Sequence, residues 1–205
     1  MLAVFKPAGT LVIPGRGAPG PTLKEEAQSR CGAPVWVVHR LDREASGLVL
    51  FAKTAQEHRR LCGLFESRGV EKVYWAIVRG ALGGEGEVKL PIKAYGSGRM
   101  ATAEGGLPCH TRYRALERFA GATLLEVRPV TGRRHQIRVH LNTLGCPILG
   151  DPLYGRPLPV PGAPRLMLHA LELGLPAADG RRLTLRAEPP ADFAAVLEGL
   201  RTPAA

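Results

Sequence analysis

The sequence lacks the features that mark a metal site, a disulfide scaffold or a membrane span. Its four cysteines, Cys31, Cys62, Cys109 and Cys146, stand far apart and form no Cys-x-x-Cys pair. Free thiols in a reducing cytosol account for them more simply than zinc ligands or disulfides. The histidines form no His-x-x-x-His or His-Glu-x-x-His pair, so no metal is expected. There is no Gly-x-x-x-x-Gly-Lys-[Ser/Thr] loop and no Gly-x-Ser-x-Gly elbow, which argues against a nucleotide cofactor and a serine hydrolase. No apolar run approaches about 18 residues. The N-terminus "MLAVFKPAGT" has no charged-then-apolar signal pattern. A soluble, cytoplasmic protein is expected.

Acidic residues are also in short supply. The 18 Asp and Glu face 28 Lys and Arg, a formal net charge of +10. A domain this basic points to a polyanionic partner. Nucleic acid is the first candidate and a membrane surface the second, although no long basic amphipathic helix is visible. With 205 residues, 45% of them hydrophobic, the chain can bury a substantial core as one domain.

Local signals set the elements. "TLKE" (22–25) and "TAQE" (54–57) read as capping boxes that open helices, the first ending at Gly32 and the second near Gly69. Residues 12–21, "VIPGRGAPGP", read as a loop. "EKVYWAIVRG", "GEVKLPI", "CHTRYRALERF" and "ATLLEVRPV" read as strands. "LMLHALELGL" and "RLTLRA" flank a hairpin at Asp179-Gly180. Residues 94–108 are rich in Gly and small residues and read as a mobile loop. Thr131 is expected to cap a helix through "GRRHQIRVHLNTLG", and "PPADFAAVLEGL" to close the chain with a short helix. The whole reads as mixed α/β (α+β) with a largely antiparallel central sheet and flanking helices.

Three places carry charge or aromatic character that a plain turn or strand does not need. "HRLDREASGL" (39–48) holds Asp42 between Arg40 and Arg43, at a crossing between two apolar strands. Nearby cations keep such a carboxylate ionised, which suits a nucleophile or an electrostatic stabiliser. A loop salt bridge explains it equally well. "TGRRHQIRVH" (131–140) places Arg133, Arg134 and His135 where a helix begins, and cations there oppose the helix dipole unless an anion binds. A solvated basic face is the alternative. Tyr74 is either core packing or a stacking platform for a base.

Taken in order, "HRLDREASGLVLFAK", "EKVYWAIVRG", "GRRHQIRVHLNTLGCPILGDPLYG" and "RLMLHALELGL" resemble the motifs of the RluA-type family of RNA pseudouridine synthases. "VFKPAGTLVIPG" and "AEPPADF" are similar to that family too. The resemblance implies the pseudouridine-synthase-like fold. It also implies a single catalytic domain over residues 1–205 without an N-terminal RNA-binding domain of the S4 type. The activity implied is isomerisation of uridine in ribosomal or transfer RNA without cofactor or metal. Asp42 is implied as the catalytic aspartate, Tyr74 as the active-site tyrosine and Arg138 as the basic partner of the aspartate. Arg40 is implied to fill the space that a flipped base vacates, and Arg133, His135 and Gln136 to bind substrate. Structured RNA is the implied partner, with no membrane, no protein partner and a monomeric state. Two rivals remain open at this stage: an inactive RNA-binding ribosome-assembly factor, and a uridine nucleosidase. Ala45, Arg134 and the pair Cys109-His110 depart from the usual family residues and bear on substrate contacts.

Overall fold

The computed structural model describes residues 1–15, 20–96, 98–155 and 162–202. Residues 16–19 of the expected loop at 12–21 lie outside them. The chain opens with β1 (Leu2–Lys6), α1 (Leu23–Cys31), β2 (Trp36–Val37), β3 (Ser46–Ala52) and α2 (Ala55–Glu66). It continues through β4 (Glu71–Arg79), β5 (Glu85–Val88), β6 (Ile92–Ala94), β7 (Met100–Thr102), β8 (Thr111–Phe119) and β9 (Ala122–Pro129). It closes with α3 (Gln136–Thr143), β10 (Leu168–Pro176), β11 (Arg182–Arg186) and α4 (Ala191–Arg201). This is an α+β fold, and every strand pair with a resolved register is antiparallel. The elements group into two compact units, Met1–Glu71 with Ala170–Glu188, and Lys72–His169 with the segment from Pro189 onward.

In the first unit β3 is the spine. It lies between β1 and β10, with β2 also paired to it and β11 on β10. All seven of its residues are buried. Alternation sends Leu48, Leu50 and Ala52 into a cluster with Leu61, Val70, Leu173 and Leu175, and Leu64 and Phe65 of α2 pack against it. Val49 and Phe51 face the other way, into a cluster with Val12, Leu23, Ala27 and Val35 beneath α1. The first capping box forms as expected: Glu25 N–H donates to Thr22 Oγ1, Thr22 N–H donates to the Glu25 carboxylate, and Gly32 ends the helix in the left-handed region. The second forms only by half. Glu57 N–H donates to Thr54 Oγ1 at 3.2 Å, but the Glu57 carboxylate turns to the Met1 ammonium and the Lys53 N–H. An ammonium outcompetes a neutral backbone donor for a carboxylate.

In the second unit the strand order is β4-β9-β8-β5. Ala76, Ile77 and Val78 of β4 are buried, as are Leu124, Leu125 and Val127 of β9. Residues 94–108 correct the expected loop: with Ser97 outside the described residues, β6 and β7 pair as a hairpin and Leu107 bridges to Ile92. Its small residues suit close pairing, and a Cβ at Gly106 would lie 2.7 Å from the Ile92 carbonyl carbon. Arg165 grips Asp192 with two hydrogen bonds, at 2.6 and 2.7 Å, and so fixes the start of α4.

Gly47 shows how tightly β3 and β10 meet. Its φ is +122°, and a Cβ there would sit 2.3 Å from the Ala170 carbonyl oxygen. Gly47→Ala is expected to destabilise the protein by about 2–5 kcal/mol through backbone strain and overpacking, read as a lower urea midpoint.

Candidate active site

The Asp42 loop belongs to the first unit and is fastened from below. Lys6 ends β1 with its side chain wholly buried. Its ammonium donates to the carbonyls of Pro7, Thr10 and Arg43, at 3.0, 2.9 and 2.9 Å. Gly9 N–H also donates to the Arg43 carbonyl, and Arg43 Nε donates back to the Gly9 carbonyl at 3.0 Å. Arg43 therefore ties the loop to residues 6–10. Asp42 itself is half-buried, and its carbonyl accepts Ala45 N–H at 3.2 Å, closing a turn. His39 anchors the entry to the loop. Its Nε2 accepts Leu50 N–H at 3.0 Å, and its ring stacks on Phe65 with centroids 4.6 Å apart. Arg40 is exposed. The loop's basic side chains thus divide: His39 and Arg43 hold the fold, while Arg40 reaches solvent.

Tyr74 and Arg138 belong to the second unit. Tyr74 is half-buried on β4, opposite Val127 of β9. Arg138 lies in the first turn of α3, and its side chain is 0% exposed. Burying a guanidinium is costly unless a carboxylate answers it. Asp151 does so with two parallel bonds, from Arg138 Nε to Oδ2 at 2.8 Å and from Nη2 to Oδ1 at 2.7 Å. Asp151 Oδ1 also accepts the N–H groups of Leu153 and Tyr154. That turn brings the Tyr154 ring over the guanidinium, 5.1 Å from its central carbon.

The start of α3 differs from expectation. The helix begins at Gln136, and His135 precedes it in the left-handed region with φ +54°. Thr131 is therefore not its cap, and Arg133 and Arg134 lie outside its first turn. The physical reason is Gln136. Its buried amide oxygen accepts the Thr131 hydroxyl at 2.7 Å and the Arg133 N–H at 3.1 Å. Its amide nitrogen donates to the His110 carbonyl and to Thr111 Oγ1. Thr131 and the helix start are thus bound to each other through a side chain, and the segment between them makes a tight exposed loop. Arg133 and Arg134 are exposed on that loop. His135 Nδ1 meets Tyr154 Oη at 2.8 Å. The second unit therefore gathers Arg138, His135, Gln136 and the loop arginines, whereas Arg40 and Asp42 lie in the first unit.

Three residues that anchor these groups carry no role in the sequence reading: Lys6, Asp151 and Tyr154. Each stands in a segment that carried the resemblance, "VFKPAG" or "GDPLYG", and each acts on a partner far along the chain. Among the described residues no three His, Cys, Asp or Glu side chains converge as metal ligands would. No helix among them is long and apolar enough to cross a membrane.

Next to Gln136, His140 is fully buried, with Nε2 against the Leu90 carbonyl at 3.0 Å and Nδ1 against Thr111 Oγ1 at 2.9 Å. Burial holds its pKa below the ordinary value of 6.5, and His110 adds to the depression while the Leu90 bond opposes it. The unfolded chain thus takes up this proton more readily than the folded one. The stability contributed is full above the ordinary value and is lost as pH falls from there through the depressed folded pKa. His140→Gln is expected to flatten the fall in stability below about pH 6.5, measured by urea denaturation at a series of pH values. Asp151→Asn leaves the Arg138 charge buried without its carboxylate and is expected to cost about 3–5 kcal/mol, measured the same way.

Residues 1–143 match the RNA pseudouridylate synthase family. Ribosomal large subunit pseudouridine synthase D of Nitrosomonas europaea is 38% identical over 98% of this chain and 63% of its own length. The dual-specificity RNA pseudouridine synthase RluA of Vibrio cholerae is 40% identical over 84% of this chain and 72% of its own. The chain therefore spans somewhat less than two thirds of the Nitrosomonas relative. Among solved structures, human RNA pseudouridylate synthase domain containing 4 superposes with a TM-score of 0.79 at 29% identity, covering 97% of this chain and 89% of that one. A match over most of the sequence, with relatives of this identity and a fold this similar, leaves one conclusion: the chain belongs to the RNA pseudouridylate synthase family.

Proposed function

We propose that this chain isomerises uridine to pseudouridine within structured RNA. The names of its relatives favour ribosomal RNA of the large subunit; transfer RNA is the other target class. The observation that supports this most is the family match across residues 1–143, a span that includes Asp42, Tyr74 and Arg138. In the reaction the bond from ribose C1′ to uracil N1 breaks, the base turns, and C1′ rejoins through C5. The C5 proton leaves and N1 gains one, so substrate and product are isomers.

A uridine within stacked RNA cannot present C1′ and C5 together, so it must be extruded. On this reading the exposed planar guanidinium of Arg40 occupies the space the base leaves. Asp42 is the carboxylate that acts on the nucleoside. Its loop is fixed by buried anchors, so the group arrives already placed. Tyr74 stacks on the extruded uracil, and its hydroxyl serves proton removal at C5. Arg138, held in one pose by Asp151, is on this reading the basic partner of the aspartate. Arg133 and His135 meet the RNA. Gln136, whose amide is engaged within the protein, serves the substrate by shaping the arginine loop. A single working carboxylate fits an isomerase, since hydrolysis of a glycosidic bond ordinarily uses a second one to activate water. The protein works as a monomer in the cytoplasm and needs no protein partner.

Tritium release from RNA labelled at uridine C5 tests the assignment. Asp42→Asn is expected to keep RNA binding and to lose about 10³-fold or more in rate. Normal turnover by that variant would remove Asp42 from the mechanism. Free uracil as the product would instead identify a nucleosidase, and wild-type protein that binds RNA but releases no tritium would identify an assembly factor.

A further inference from the structure

Tyr154 is almost fully buried, yet it has a polar task at one end and a cationic one on its face. Its hydroxyl accepts the Met100 N–H of β7 at 2.9 Å and shares a hydrogen bond with His135 Nδ1 at 2.8 Å. Its ring faces the Arg138 guanidinium, within the roughly 6 Å over which a cation–π attraction acts. Its own N–H donates to Asp151 Oδ1, the oxygen that also takes Arg138 Nη2. Asp151 thus grips the guanidinium at its edge, and Tyr154 covers its face. Neither grip is independent of the surroundings, because the ring cannot move without straining the bonds to Met100 and His135.

Those two bonds lead to two exposed basic segments of this unit. Met100 opens the second strand of the β6–β7 hairpin, which exposes Lys93, Tyr95 and Arg99. His135 ends the loop that exposes Arg133 and Arg134. The two segments also lie close to each other, since a Cβ at Gly98 would be 3.7 Å from Arg134 Nη2. We infer that Tyr154 is a positioning residue that couples the β6–β7 hairpin and the arginine loop to the orientation of Arg138. Polyanion held by hairpin and loop fixes the hydroxyl end of the tyrosine, and the ring end then fixes the guanidinium. The inference rests on the proposed isomerase activity only for its kinetic consequence.

Two variants separate the ends of the residue. Tyr154→Phe keeps the ring over Arg138 and removes the hydroxyl, whereas Tyr154→Leu removes both. Hydrogen exchange at the Met100 amide is expected to speed up about tenfold or more in Tyr154→Phe, and the shift that added RNA gives the Arg138 Nε–H resonance in the wild type is expected to be lost. In RNA kinetics the same variant is expected to lower kcat several-fold, because bound RNA no longer fixes the guanidinium. Tyr154→Leu is expected to shift or broaden the Arg138 resonance and to lower kcat about tenfold. Unchanged exchange at Met100 in Tyr154→Phe would overturn the coupling, as would an unchanged kcat in that variant. If Tyr154→Leu does not fold, Tyr154→Phe decides alone. If the wild-type protein shows no isomerase activity, the functional proposal fails, while exchange at Met100 still decides the coupling.

Discussion

A guanidinium sealed from water must be met by a carboxylate, and in the second unit much else follows from how Asp151 meets Arg138. The pair forms with two parallel bonds, so it fixes the plane of the guanidinium as well as its position. The same carboxylate oxygen takes two backbone N–H groups, which fixes the turn that follows. That turn delivers Tyr154 to the face of the guanidinium. One ionic contact therefore sets the pose of an arginine, a loop and an aromatic ring. Removing either charge would leave the other with no water to fall back on.

The first unit solves a similar problem with a lysine. A buried ammonium has three protons to place, and Lys6 places them on three carbonyls from two stretches of chain. It welds the end of β1 to the loop that carries Asp42. Arg43, which looks in sequence like one of a pair of guards for the aspartate, strengthens the same weld through Gly9. The loop is irregular in backbone, yet it is as well held as an element. On the proposed function, that would deliver the Asp42 carboxylate in one orientation.

What could be read from the sequence was local. The Thr22–Glu25 box and the Gly32 stop lie within one short segment, so the chain alone declares them. The run "LVLFA" announces a strand buried on both faces because each residue in it is apolar. Thr54 and Thr131 show where such reading stops. Each stands at a plausible helix start, but the first lost its reciprocal partner to the Met1 ammonium, 53 residues earlier in sequence, and the second bonds instead to Gln136. The hairpin at residues 94–108 was hidden because glycine and small residues serve a loose loop and a tight ladder equally well. At the candidate site, the motifs named residues but not the contacts that hold them. Asp151, Tyr154 and Lys6 act on groups 13 to 54 positions away, and no spacing rule reaches that far.

The buried weld at Lys6 has a consequence for ionic strength. Its bonds run between an ammonium and carbonyls inside the protein, where dissolved ions do not enter, so screening scarcely touches them. Any attraction of the exposed arginines for a polyanion, by contrast, weakens steeply as counterions compete. The two halves of the task are thereby separated. Salt can loosen the hold on a nucleic acid without disturbing the geometry of the loop that would act on it. Salt that released a bound polyanion would leave the Asp42 loop as it was.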